Sequence, residues 1–382
     1  MRVEREIAGF ALPFAAGVLA AAHAGVSFCM NFQAISITVL GVTFAALLCL
    51  LSRSELAAEK KTQGSAAQFL ICLGAFGSGT LSAATGIALN IDWPPSHLEA
   101  LANNIGSGML NTIDSIPFLN PDTGALAKAL LAGERSSLSP AVIDAFRASG
   151  ASHILALSGL HLGIIYLLFS KLLRIIGNGI YARRIRSCML ILFCGFYTLS
   201  TGAGASIVRA FLFILLGEIA NICGRYKSLT QILFAAMILQ LIVSPLSILS
   251  ISFQLSYAAM AGIAFVFPWL KGFWPDESNE QRTGPFGRKL IGKPARWIWN
   301  SAAMSISCQL TTGPLAYMYF GSIPKHFLLT NLLAMPLVGI LIPSAALTAF
   351  LSALGCCPSI MTQATEALAG LLTWALEVIS TM

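Results

Sequence analysis

The sequence predicts an all-α fold, a polytopic membrane helix bundle with about ten or eleven transmembrane helices of roughly 20 residues each, together with short extracytoplasmic and interfacial helices. Three observations carry this. Charged residues make up only 10% of the 382 and hydrophobic residues 56%, against about 25% charged in ordinary soluble domains, and the mean hydropathy is +0.78. Apolar runs long enough to cross a bilayer recur along the chain. Lys and Arg fall mostly on one set of the intervening loops.

The spans follow in order. Residues 7–25 come after Arg2 and Arg5, and the apolar stretch continues to about Phe32. That is too long for the apolar core of a signal peptide, so it reads as a signal anchor. Residues 34–52 and 67–90 give two more, making 1–90 an N-terminal three-helix membrane region. Residues 148–170 contain no Asp, Glu, Lys or Arg and make a fourth. Residues 187–224 hold two spans if the chain turns at 200–206, where Gly202 and Gly204 permit it. Residues 228–270 are uncharged and hold two, divided near Ser244-Pro245. Residues 297–324 and 327–350 follow, the latter with Pro336 inside, which a membrane helix tolerates. The last segment, within 351–382, is a helix that either spans or lies at the interface, with Glu366 and Glu377 on one face.

Charge placement orients the bundle. With a cytoplasmic N-terminus, the inside segments 1–6, 53–61, 171–186, 225–227 and 271–296 carry 18 Lys and Arg. The outside segments carry four: Lys128, Arg135, Arg147 and Lys325. The bias is a positive-inside pattern, and it accounts for most of the net charge of +7 without invoking nucleic acid. Segment 91–147 falls outside as an extracytoplasmic amphipathic helical segment. It bears six acids, a poor surface for free DNA. Helices are expected at 97–113, at 123–132 and from Ser139-Pro140 to the stop at Gly150. Trp297 and Trp299 among the basic residues of 287–300 form an interfacial anchor pattern.

Polar groups inside membrane segments single out the functional candidates. His153, Ser158 and His161 fall within "GASHILALSGLHLGII" (150–165), with Gly159 as a possible helix break. Arg209 lies in a span and points away from Glu218 on a straight helix. Gln254 and Ser256 belong to "SFQLSY" (252–257). Each residue alone is as well explained by interhelical hydrogen bonding. Together the cluster reads as a pore or translocation lining: His153, Ser158, Gly159, His161, Arg209, Gln254 and Ser256. The nine Cys contain no CxxC pair and read as packing residues. The two His at i, i+8 make a poor metal pair, so no cofactor or metal is expected.

The stretch "LLAGERSSLSPAVIDAFRASGASHILALSGLHLGIIYLL" (130–168) resembles the signature of the ComEC family of competence proteins. That signature couples a Gly-Asp/Glu-Arg element, a Ser/Thr-Gly-x-x-His element and a Ser-Gly-Leu-His element. "SIVRAF" (206–211), "SPLSILSISFQLSYAAMAGI" (244–263) and "TTGPLAYMYFGSIPKHFLLTNLLAMPL" (311–337) match further family blocks in order, so that the resemblance covers roughly 120–345. It implies that 148–350 is a competence-type channel core in the cell inner (plasma) membrane. Such a channel imports single-stranded DNA during natural transformation. The expected partners are that strand as transported substrate, the lipid bilayer, and a separate DNA receptor, nuclease and cytoplasmic DNA-translocating proteins.

Larger relatives carry an OB-like domain and a metallo-β-lactamase-like nuclease domain. Here 91–125 is too short for an OB barrel and lacks its alternating strands. Five His with no HxHxDH motif leave no such nuclease in these residues. The chain is therefore expected not to be an enzyme. Two other readings stay open. One is a transporter of another substrate on the same fold. The other is an intramembrane serine hydrolase, in which Ser158 of "ALSG" (156–159) would be the nucleophile and His153 or His161 the base.

Overall fold

The computed structural model describes residues 2–24, 60–89, 96–155, 158–177, 179–225, 228–273, 286–322 and 325–381. The expected span at 34–52 lies outside them. The described residues contain no strand, and the chain is an all-α polytopic membrane helix bundle. Among the described residues five stretches are long and apolar enough to cross a membrane: Gln68–Gly86, Gly159–Ile176, Ala205–Ile222, Ile251–Lys271 and Phe327–Ala353. Ile7–His23 and Leu229–Val243 are shorter apolar helices.

The helices are α1 (Arg2–Ala24), α2 (Lys60–Leu89), α3 (Ser96–Asp114), α4 (Pro121–Ala132), α5 (Pro140–Ala148) and α6 (Ser152–Leu155). There follow α7 (Gly159–Leu172), α8 (Ile180–Ser200), α9 (Ala205–Ile222), α10 (Leu229–Val243), α11 (Ile251–Ala261) and α12 (Phe267–Lys271). Last come α13 (Phe286–Phe320), α14 (Phe327–Ala353) and α15 (Ser359–Ser380). They fall into two compact units, one from 1–95 and 225–257, the other from 96–224 and 258–382.

In the first unit α1 and α2 cross at small residues. Membrane helices have no hydrophobic drive toward one another, so close backbone approach at Gly is a main source of packing energy. Gly17 sits against the Phe76 carbonyl and Gly79 against the Phe14 carbonyl, leaving no room for a Cβ at either. α10 packs on both helices, with the Ser82 hydroxyl donating to Leu241 O at 3.2 Å. Pro245 divides α10 from α11 and opens a short 3-10 turn, Pro245–Leu249. This is the division expected from Ser244-Pro245, because proline cannot donate to the preceding turn.

The second unit holds the main core. Leu126, Leu130, Phe146, Leu162, Ile207, Ile342 and Leu372 are among its buried members. α4 and α5 thus share one core with α7, α9, α14 and α15. Two contacts frame α14: Thr330 Oγ1 donates to Ser149 O at 2.7 Å, and Ser352 Oγ lies 3.5 Å from Ser115 Oγ. Residues 115–149 therefore run from one end of α14 to the other. α15 buries Thr362, Thr365, Ala369, Leu372, Leu376 and Ile379 on one helical face. Its Glu366 accepts the backbone N–H groups of Leu119 and Asn120. The turn expected at 200–206 separates α8 from α9 and carries φ 80° at Gly202 and 49° at Ala203, although α9 and not α8 is among the stretches long and apolar enough to cross a membrane.

One expectation is corrected. Residues 148–170 were expected as a single span, but the described helix is interrupted. α6 is one turn long, and a new helix starts after Ser158.

Candidate functional site

The turn between α4 and α5 begins at Gly133, whose φ of 79° ends α4. Glu134 then folds over the next residues. Its Oε1 accepts the Ser136 N–H at 2.6 Å and the Ser136 hydroxyl, and its Oε2 accepts the Ser137 hydroxyl at 2.6 Å. These donors hold its carboxyl below the usual carboxylate range. Arg135 stays exposed beside it.

α5 starts with Ser139 at the cap position and Pro140 at the first turn, as expected. The Ser139 hydroxyl makes no cap bond, however, so proline and packing set this end. After Gly150, at φ 80°, α6 carries His153, whose Nδ1 is 3.2 Å from Gly150 O. Asn331 of α14 lies beside that ring.

The restart at Ser158 is built by a capping box. Ser158 Oγ accepts the Leu160 N–H at 3.3 Å, and His161 Nδ1 accepts the Ser158 backbone N–H at 3.1 Å. Histidine takes the place usually held by Glu or Gln in this motif. Because Nδ1 is an acceptor, the hydrogen-bond network assigns the proton of the neutral ring to Nε2. Nε2 is buried and has no hydrogen-bond partner among the described residues, on a side chain with 0% exposure. An unsatisfied buried donor is costly, about 1–3 kcal/mol, so it is a place where a ligand or water is welcome.

Other signature residues converge on this break. Arg135 and His153 are within electrostatic reach of His161. Gly159 faces α9 so closely that a Cβ there would stand 3.1 Å from the Ala210 Cβ. Next to Ala210 is Arg209, 1% exposed and the largest fully buried side chain. The structure thus gathers Ser158, Gly159 and His161 at one helix start, with Arg135 and His153 near it and α9 against it. Gln254 and Ser256 belong to the other unit. There Gln254 Nε2 donates to Ile248 O at 3.0 Å and closes its own turn, and Ser256 is half-buried. Among the described residues no group of three or more His, Cys, Asp or Glu could hold a metal ion.

One polar hub went unread in the sequence. Glu218 of α9, 2% exposed, accepts the Tyr166 hydroxyl at 2.6 Å, the Ser187 hydroxyl at 2.5 Å and the Asn221 amide at 3.0 Å. The available signal was a carboxylate in an apolar span, which needs donors. Its partners on α7 and α8 are 52 and 31 residues away, beyond any spacing rule.

Fold and site define a membrane helix bundle with a polar cluster at the start of an interrupted helix. The family model for competence proteins matches residues 130–382, and the chain belongs to the competence protein family. It is 35% identical over 144 residues to ComE operon protein 3 of Bacillus subtilis, covering 37% of this chain and 18% of that protein. It is 26% identical over 211 residues to the uncharacterized protein YcaI of Escherichia coli, covering 54% and 26%. It is 24% identical over 218 residues to Recombination protein 2 of Haemophilus influenzae, covering 56% and 26%. The chain thus spans 18% to 26% of the length of the curated relatives it matches. No solved structure matches it.

Proposed function

We propose that the chain forms an inner-membrane channel, N-terminus in the cytoplasm, that imports single-stranded DNA during natural transformation. The observation that carries this is the capped helix restart at Ser158 inside the family-matched region. Irregular backbone at membrane depth is tolerated where it lines a cavity or is buried in protein. His153, Ser158, Gly159, His161 and Arg209 form the lining in this reading. A strand crossing it needs sparse cationic and hydrogen-bonding partners, since dense positive charge would bind phosphates too tightly for release. Membership of the competence protein family supports this reading.

Translocation on this reading involves no bond cleavage. Ser158 Oγ and His161 Nδ1 are 3.1 Å apart, a distance that would suit a nucleophile and its base. Yet the same nitrogen accepts the Ser158 backbone N–H, and among the described residues no carboxylate bonds to Nε2 to orient the ring. The pair works as a helix cap. The test is a clean in-frame deletion in a transformable host, scored for entry of labelled DNA separately from recovery of transformants. Loss of labelled-DNA entry is expected. Normal entry with lost transformants would move the chain to a later step, and normal values for both would favour another transported substrate.

A further inference from the structure

A cavity of about 180 Å³ opens between α7, α8 and α9, where the 3-10 turn Leu173–Ile176 that follows α7 carries Arg174. Its lining includes Arg174, Arg183 and Arg186 together with Ser170, Asn221 and Glu218. Among the described residues these three arginines have no ion pair or hydrogen bond to another side chain. Three guanidinium groups around one cavity repel one another, and an anion placed between them relieves that repulsion. Guanidinium forks match a phosphate in geometry as well as charge.

The surroundings identify the source of the phosphate. The chain at this rim exposes a skirt of large apolar side chains: Leu172, Ile175 at 85%, Ile180, Tyr181 at 79% and Ile185. Apolar side chains beside a basic cavity at a span terminus suit a molecule that is anionic at one end and hydrocarbon at the other. Basic pockets between membrane helices on the cytoplasmic side hold anionic headgroups by this chemistry.

We propose that this cavity binds the headgroup of an anionic glycerophospholipid, its phosphate on Arg174, Arg183 and Arg186 and its acyl chains along Leu172, Ile175 and Ile180. The Glu218 carboxylate keeps the phosphate at the rim and away from the buried end. A neutral, hydroxyl-bearing headgroup such as glycerol then fills the space beside Ser170 and Asn221. The site is separate from the Ser158 region, and the proposal stands whichever substrate the protein carries.

The test uses the full chain, delipidated in neutral detergent and titrated with phosphatidylglycerol or phosphatidylcholine, with retained lipid counted by native mass spectrometry. Wild type is expected to retain phosphatidylglycerol preferentially. Each arginine changed to Gln weakens retention about fivefold, from the usual worth of a basic residue at an anionic surface. Arg184→Gln, on the same helix but outside the cavity, is expected to change retention less than any of the three. Arg186→Lys keeps charge without the fork and is expected to fall between wild type and Arg186→Gln, a reading that stands if a Gln variant of another cavity arginine does not fold. Equal retention of the two lipids overturns the proposal, as does an Arg184→Gln loss equal to that of the cavity arginines. Displacement of the lipid by inorganic phosphate at the same concentration assigns a free-anion site instead. Displacement by a short single-stranded oligonucleotide at matched phosphate makes the cavity a strand contact, and the lipid proposal fails.

Discussion

Gly17 of α1 and Gly79 of α2 face each other so closely that a Cβ on either would strike a carbonyl of the opposite helix. Overpacking costs about 1–3 kcal/mol, occasionally more. Because the obstacle here is backbone, the upper part of that range applies, above the roughly 1 kcal/mol that alanine gains in helix propensity. Gly79→Ala is therefore expected to lower the melting temperature of the detergent-solubilised protein. Gly108→Ala, where a Cβ meets nothing within 4 Å, is expected to leave it unchanged or raise it. Equal behaviour of the two would remove the close crossing.

Ser158→Ala loses the hydroxyl that accepts the Leu160 N–H, with an expected cost of about 1 kcal/mol. His161→Gln separates two roles of the ring. Glutamine supplies the acceptor that the cap requires and lacks the donor at the Nε2 position. The expected result is near-normal thermal stability with reduced DNA entry. Full entry in His161→Gln would reduce the residue to a cap. Neither Ser158 nor any other residue is expected to react with a fluorophosphonate probe, and labelling that disappears in Ser158→Ala would revive the hydrolase reading.

Arg209 is buried too completely for Arg209→Ala to be read alone, since truncation also leaves a void. Arg209→Met fills much of the space without charge, and Arg209→Lys keeps charge without the fork. If charge acts on the transported strand, entry is expected to rank wild type, then Lys, then Met, at comparable protein levels in membranes. Equal entry with Met and with wild type would assign Arg209 to packing.

Glu134 gives a pH signature. Its folded carboxyl lies below the usual carboxylate range, held down by Ser136 and Ser137. A depressed acid contributes stability that is present above the unfolded pKa and lost as pH falls through the folded one. The turn 133–137 should thus keep its amide-exchange protection above about pH 4.5 and lose it progressively below. Glu134→Gln is expected to flatten that dependence. The residue is half-buried in a surface turn where solvent screens its charge, so the effect on global stability is small.

Much of this architecture is legible in the sequence, because a bilayer imposes length and apolarity on each span and Pro or Gly on the turns. Gly202 and Pro245 mark divisions that the helices obey. The interruption at Ser158 was only half legible. Gly159 advertised a break, but a histidine completing a capping box has no pattern in a lone sequence. Gln254 was grouped with Arg209 because both are polar in apolar surroundings, whereas its amide serves a carbonyl six residues back. Spacing sets Glu218 only against Arg209 on its own helix, although two of its donors, Tyr166 and Ser187, come from neighbouring helices. Local spacing reports what one helix can do with itself, and tertiary partners escape it.

The course of residues 115–149 along α14 bears on biogenesis. Leu126, Leu130 and Phe146 are completed in the core by Ile342 and Leu372, which emerge from the ribosome some two hundred residues later. At roughly 5–20 residues per second, those side chains wait about ten seconds or longer for their partners. During that interval the nascent segment carries an apolar face that its own chain cannot yet cover. Insertion must leave the segment beside a lateral opening or a holding factor until α14 and α15 arrive, so assembly of this half of the bundle is a late, post-insertion event.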